Sequence, residues 1–165
     1  MTEVVAVPGW GRTNGFVDVG TGVAQLTAEQ AADRLLILEV INRYAWSYDE
    51  RDMTALGRSF TKDAVFAGNV AGSVEIGPFK GRENIVAWLR GHMDGQSDQR
   101  RHSVTNPTFT SQTKDSAAVN AFLMLTTVSE GQARLVTTGF YTFELRRSAD
   151  GWAINHAFGG FDAAF

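Results

Sequence analysis

The sequence predicts one α+β domain in which a long N-terminal helix and two shorter helices pack against a strongly curved antiparallel or mixed sheet. Helical periodicity is confined to the chain before about Asp94, whereas from about Gln99 onward the chain is rich in Val, Thr, Phe and Tyr. Short turns separate the later segments, which favours antiparallel neighbours because parallel strands need long crossovers. Helices followed by a long strand meander is an α+β order. A curved sheet wrapped around the first helix makes a cone-shaped barrel with one open end, and such an interior suits a small molecule. The 165 residues are enough for one domain with a real core.

Residues 1–26 read as a glycine-rich arm, with Gly9, Gly11, Gly15, Gly20 and Gly22 breaking up short apolar pieces. The arm is either loosely packed or pairs with a neighbouring subunit through Trp10 and Phe16. The domain proper spans 27–165. Thr27 with Gln30 has the form of a capping box. Two overlapping stripes follow: Leu35, Leu38, Ile41, Ala45, Tyr48, and Ile37, Ile41, Tyr44, Tyr48. They predict an amphipathic helix ending near Asp49. Asp52 caps a shorter helix from Met53 to Phe60, and Thr61-Lys62-Asp63 turns into a short apolar piece, Ala64 to Phe66. Gly77-Pro78-Phe79-Lys80-Gly81 reads as a loop, and Glu83 to Met93 as a third helix. Strands are expected over Arg101 to Phe109, Ala117 to Val128, Arg134 to Arg147 and Trp152 to Phe161.

Composition removes several function classes. A net charge of −3 gives no electrostatic footprint for nucleic acid, and the Arg100-Arg101 and Arg146-Arg147 pairs do not change that. Without cysteine there is no disulfide framework, thiolate nucleophile or cysteine-ligated metal. No apolar run approaches the length of a membrane span, and no signal-peptide pattern opens the chain, so a cytoplasmic protein without membrane partners is expected. No histidine pair has metal-ligand spacing, and no GxGxxG, GxxxxGK[ST], HExxH or GxSxG occurs.

The candidate residues for chemistry are few. Of the three histidines, His102 opens a strand whose alternation places His102, Val104, Asn106 and Thr108 on one face. Facing the inside of the cone, it would be a general base near neutral pH; from spacing alone a hydrogen-bonded structural histidine is the commoner case. Asp49 ends the first helix, where the macrodipole disfavours a carboxylate. Tyr44 and Tyr48 stack at i,i+4 beside it. By spacing alone Asp49-Glu50-Arg51-Asp52 is more commonly a solvated turn, with Asp52 capping the next helix. Phe66, Phe122, Met124, Phe140 and Tyr141 are candidate pocket walls, although alternation lets only some face inward. His156 shares a strand face with Trp152 and Ile154 and could border the pocket; His92 reads as a helix-end histidine.

Taken with the Asp52…Phe60-Thr61-Lys62-Asp63-Ala64-Val65-Phe66 segment, Gly77 through Ile85, His102 with Asn106, and the closing Arg146-Arg147…Asp150-Gly151-Trp152-Ala153-Ile154, this order resembles the SnoaL-like branch of the nuclear-transport-factor-2-like cone-fold superfamily. The resemblance covers about residues 28–162. Within it the pattern is similar to scytalone dehydratase, hexachlorocyclohexane dehydrochlorinase and the bile-acid 7α-dehydratases. In those enzymes an aspartate at the end of the first helix serves a strand histidine without any cofactor. Asp49 and His102 match that pair, Tyr48 and Tyr44 fall where tyrosines act, and Tyr141 lies on the pocket-lining strand. A second histidine has no counterpart, since the matching strand reads Leu125-Thr126-Thr127-Val128. The serine and asparagine of scytalone dehydratase would fall near Gly139 and Tyr141. An arginine set between two aspartates, as in limonene-epoxide hydrolase, is not evident.

The resemblance implies a cofactor-free lyase of dehydratase type, or an isomerase or cyclase, acting on a hydrophobic ring compound. His102 would be the base, Asp49 would orient it, and Tyr48 or Tyr44 would support the developing oxyanion. It further implies a homo-oligomer, trimer or dimer. Two other functions share the fold: the structural small subunit of an aromatic-ring-hydroxylating dioxygenase, and a non-catalytic small-molecule binder.

Overall fold

The computed structural model describes residues 25–165. Residues 1–24, nearly all of the glycine-rich arm, lie outside the described residues. Helix α1 runs Ala28–Asp49 and opens on the expected capping box: Gln30 N–H donates to Thr27 Oγ1 at 3.1 Å, and Thr27 N–H to Gln30 Oε1 at 3.0 Å. Its buried face is Ile37, Val40, Ile41, Tyr44 and Tyr48, the second of the two stripes. Leu35 and Leu36 point to solvent, because only one stripe of a straight helix can face the sheet. Helix α2 (Met53–Arg58) is capped by Asp52, whose Oδ1 accepts from Ala55 N–H at 2.9 Å. Helix α3 spans Arg82–Asp94 and buries Ile85, Leu89 and Met93. Among the described residues no helix is long and apolar enough to cross a membrane.

Six strands form one mixed sheet in the order β2-β1-β6-β5-β4-β3: β1 Phe60–Val70, β2 Val74–Lys80, β3 Gln99–Gln112, β4 Ser116–Ser129, β5 Gln132–Ser148 and β6 Gly151–Phe161. Only β1 and β6 pair in parallel. The segment expected as a loop at Gly77–Gly81 is largely strand β2. Its glycine and proline fit because β2 is an edge strand, where a proline costs no ladder hydrogen bond. Close strand approach depends on glycine: a Cβ on Gly68 would sit 2.4 Å from the Gly159 carbonyl oxygen, and one on Gly139 2.1 Å from that of Gly160.

The expected alternation along β3 is broken at two places, between Thr105 and Thr108 and between Phe109 and Ser111. Asn106 adopts φ 53° at a bulge between Thr105 and Thr108. One extra residue there flips the faces, so Phe109 rather than Thr108 packs against the core with Val104. The core lies between α1, α3 and the concave face of the sheet, built on Ile37, Ile41, Leu56, Phe60, Phe66, Val119, Phe143 and Ile154. Burying each such side chain contributes roughly 1.5–3 kcal/mol.

Candidate active site

The last turn of α1 crosses β3 and delivers Asp49 to His102. Asp49 Oδ1 lies 2.6 Å from His102 Nδ1, and Oδ2 accepts the His102 backbone N–H at 2.7 Å. The two side chains are 5% and 7% exposed. A carboxylate this buried needs such partners, and the two bonds offset its poor position at a helix C-terminus. A carboxylate can only accept, so the pairing with Asp49 assigns a proton to Nδ1 and leaves Nε2 as the ring nitrogen free to accept one. His102 lines a cavity of about 660 Å³, a volume in the usual range of small-molecule sites.

Three phenols border that cavity, and each is wired differently. The Tyr48 ring stands edge-on to the His102 ring, centroids 4.7 Å apart. Gln96 Nε2 donates to Tyr48 Oη at 3.3 Å, so the phenol's own proton remains to be donated elsewhere. Burial raises the Tyr48 pKa, although the Gln96 hydrogen bond and the nearby Arg100 charge oppose the rise. Burial pushes Tyr44 well above the ordinary phenol value, and its hydrogen bond to Tyr141 adds to the effect. Burial likewise raises the Tyr141 phenol well above its ordinary value, and the contact with Tyr44 opposes part of that rise. All three therefore stay neutral donors across the physiological range.

Most of the remaining wall is apolar. Trp88 stacks on Phe79 at 4.3 Å between centroids and leans on Phe66 at 5.1 Å. Leu125 and Phe161 complete the floor. His92, edge-on to Trp88, stands at the rim of the same cavity rather than merely ending a helix.

The structure therefore brings together His102, Asp49, Tyr48, Tyr44, Phe66 and Tyr141, and separates the remaining candidates from them. Phe122 and Met124 lie on the opposite face of the sheet, 63% and 45% exposed, because their neighbours Leu123 and Leu125 take the inward positions of β4. Phe140 pairs with Phe122 across the strands and packs near Phe158 on that outer side. His156 is half-buried and pairs with the exposed Glu144, 3.9 Å away, outside the cavity lining. These four are corrections to the expected pocket wall. Sequence reasoning missed Phe79, Trp88, Gln96, Arg100 and Phe161. For Arg100 the signal was present: it stands two residues before His102 and so shares its strand face.

No curated protein matches the chain. Among solved structures, a proposed aromatic ring hydroxylase from Novosphingobium aromaticivorans is 29% identical, covers 83% of this chain and 92% of its own, and superposes with a TM-score of 0.69. A Catenulispora acidiphila protein in complex with S-DNPA is 23% identical over 81% of this chain and 96% of its own, TM-score 0.70. The beta subunit of a proposed aromatic-ring-hydroxylating dioxygenase, also from N. aromaticivorans, shares 12% identity over 84% and 94%, TM-score 0.69. Residues 29–157 match the SnoaL-like domain, and the chain belongs to the SnoaL-like family.

Proposed function

We propose that the protein is a cofactor-free lyase that removes water from a hydrophobic ring compound through the Asp49–His102 dyad. The supporting observation is the 2.6 Å Asp49–His102 contact at the wall of an apolar cavity, which leaves Nε2 as the free ring nitrogen. In the proposed step Nε2 takes a proton from carbon beside a carbonyl, and the C–H electrons pass into an enolate. Asp49 fixes the tautomer of the neutral ring and stabilises the imidazolium once it forms. The spare proton of Tyr48 points to a hydrogen bond with the enolate oxygen. The enolate then reforms the carbonyl and expels the hydroxyl on the next carbon. That hydroxyl takes the proton back from the imidazolium and leaves as water, so the side chains return to their starting state. Isomerisation follows from the same enolate if the proton is returned to another carbon, and ring closure if the enolate attacks an internal electrophile.

The test is solvent deuterium exchange into the activated carbon of cyclic β-hydroxy ketones, read by mass alongside loss of water. Exchange and elimination that disappear in His102→Ala support the reading. Turnover that persists in this variant removes it.

A second reading draws on the two hydroxylase-related neighbours and on the apolar outer face, where Phe122 and Leu135 are 63% and 60% exposed. A structural small subunit would cover that face with a larger chain. Co-expression with a candidate large subunit that yields a stable complex would favour this reading, and the same cavity without turnover would leave a binding protein.

A further inference from the structure

Arg100 lines the cavity with a side chain only 15% exposed, the sole lysine or arginine to do so among the described residues. Its Nε meets Asp98 Oδ2 at 3.4 Å. Its two terminal nitrogens make no hydrogen bond among the described residues. Asp98 is itself pinned: Thr127, which faces Arg100 in the β3–β4 register, donates its hydroxyl to Asp98 Oδ2. That hydrogen bond holds the Asp98 carboxyl below its ordinary pKa and keeps it charged. Thr127 and Asp98 thus fix one edge of the guanidinium and leave the planar Nη1–Nη2 fork unspent. A guanidinium has five N–H donors, and one long contact satisfies little of the cost of holding it against an apolar wall. Such a fork matches the two oxygens of a carboxylate.

We infer that Arg100 is the anchor for a carboxylate on the substrate. Resting on the cavity reading above, this narrows the substrate class from a hydrophobic ring compound to a ring-bearing carboxylic acid. Arg100 and His102 leave the same strand face about 6.6 Å apart at their Cα atoms. The anchor therefore holds the acid group to one side while the ring lies over Trp88 and Phe66, and the carbon to be deprotonated meets Nε2. Glu75, the one acidic side chain lining the cavity directly, belongs to edge strand β2, whereas Arg100 stands on β3 at the far edge of the sheet.

The test compares 2-naphthylacetate with its methyl ester by calorimetric titration. The wild-type protein is expected to bind the acid about tenfold or more tightly than the ester, the worth of one charge-assisted contact. Arg100→Met abolishes the preference and leaves ester affinity within about twofold. Arg100→Lys and Thr127→Val, which keep the side-chain volume, weaken the acid and spare the ester; they serve if Arg100→Met does not fold. Equal binding of the two by the wild type, no binding of either, or a preference that survives in Arg100→Met overturns the inference. His102→Ala separates it from the proposed reaction: that variant keeps the acid preference even where it loses, or fails to lose, turnover.

Discussion

Helix α1 carries two buried aspartates, one near each end, and they do different work. Asp33 accepts from Trp152 Nε1 at 3.3 Å and pairs with Arg147, whose guanidinium also lies over the Trp152 ring at 4.9 Å. Asp49 pairs with His102. The two are about 24 Å apart along the helix at 1.5 Å per residue. Both carboxylates are shielded, and both are matched by a basic side chain from the sheet. The partner differs: arginine never gives up its proton in a protein, whereas an imidazole exchanges one near neutrality. The surroundings differ as well, since none of Asp33, Arg147 and Trp152 lines the large cavity and His102 does. A buried carboxylate becomes a catalytic candidate through a titratable partner beside an empty volume, and not through burial.

Substitution at the two sites should separate these roles. Asp49→Asn presents the wrong hydrogen-bonding pattern to Nδ1, and turnover is expected to fall about 10³-fold, with the melting temperature little changed. Asp33→Asn leaves Arg147 with only the exposed Glu29 carboxylate at 3.9 Å for a partner, which costs about 3 kcal/mol of stability, while kcat per folded molecule stays near wild type. Denaturant titration and steady-state kinetics on both variants check this. An Asp33→Asn protein that folds normally but turns over slowly would break the comparison.

Between the two ends, Tyr44 and its partner Tyr141 form the packed middle, with Tyr44 edge-on to Phe60 and to Tyr141. All three tyrosines of the chain line the cavity, so no exposed phenol obscures an alkaline titration. Their folded pKa values are raised. Raised values mean that the folded state holds these protons more tightly than the unfolded state. Their contribution to stability is therefore complete below about pH 10, the unfolded phenol value, and is lost as pH climbs beyond it. Tyrosinate absorbance is expected to appear only together with loss of the near-ultraviolet circular dichroism signal. Phenols that titrate near pH 10 in an intact fold would contradict the burial. Tyr44→Phe removes the hydrogen bond to Tyr141 at a cost of about 1 kcal/mol, and the same titration reads it.

Much of this comparison was hidden in the chain itself. The capping box, the α1 core stripe and the four long strands follow from local chemistry, which depends on neighbours within four residues. The Asp49–His102 pair spans 53 residues, so spacing could not join it, and only the family resemblance did. The outward turn of Phe122, Met124 and Phe140 depends on strand parity, and period-two alternation cannot say which parity faces in. The β3 bulge at Asn106 and the Asp33 cluster have no local signature. Arg100 was passed over as half of a basic pair, although the face it shares with His102 was readable.

The smallest effect belongs to the start of α1, and it tests whether the two aspartates are independent. The Thr27–Gln30 capping box is exposed and touches neither site. Thr27→Ala removes its side-chain acceptor and should cost about 1 kcal/mol, or roughly 2–4 °C in melting temperature for a domain of this size. Asp33 sits little more than a turn further along and ties the helix to β5 and β6, so fraying at the cap should stop there. On that account kcat and the affinity for a cavity ligand stay at wild-type values. A fall in kcat of more than about twofold would mean that strain at the first turn reaches Asp49 along the helix. The Asp33 cluster would then be part of what holds the dyad in register.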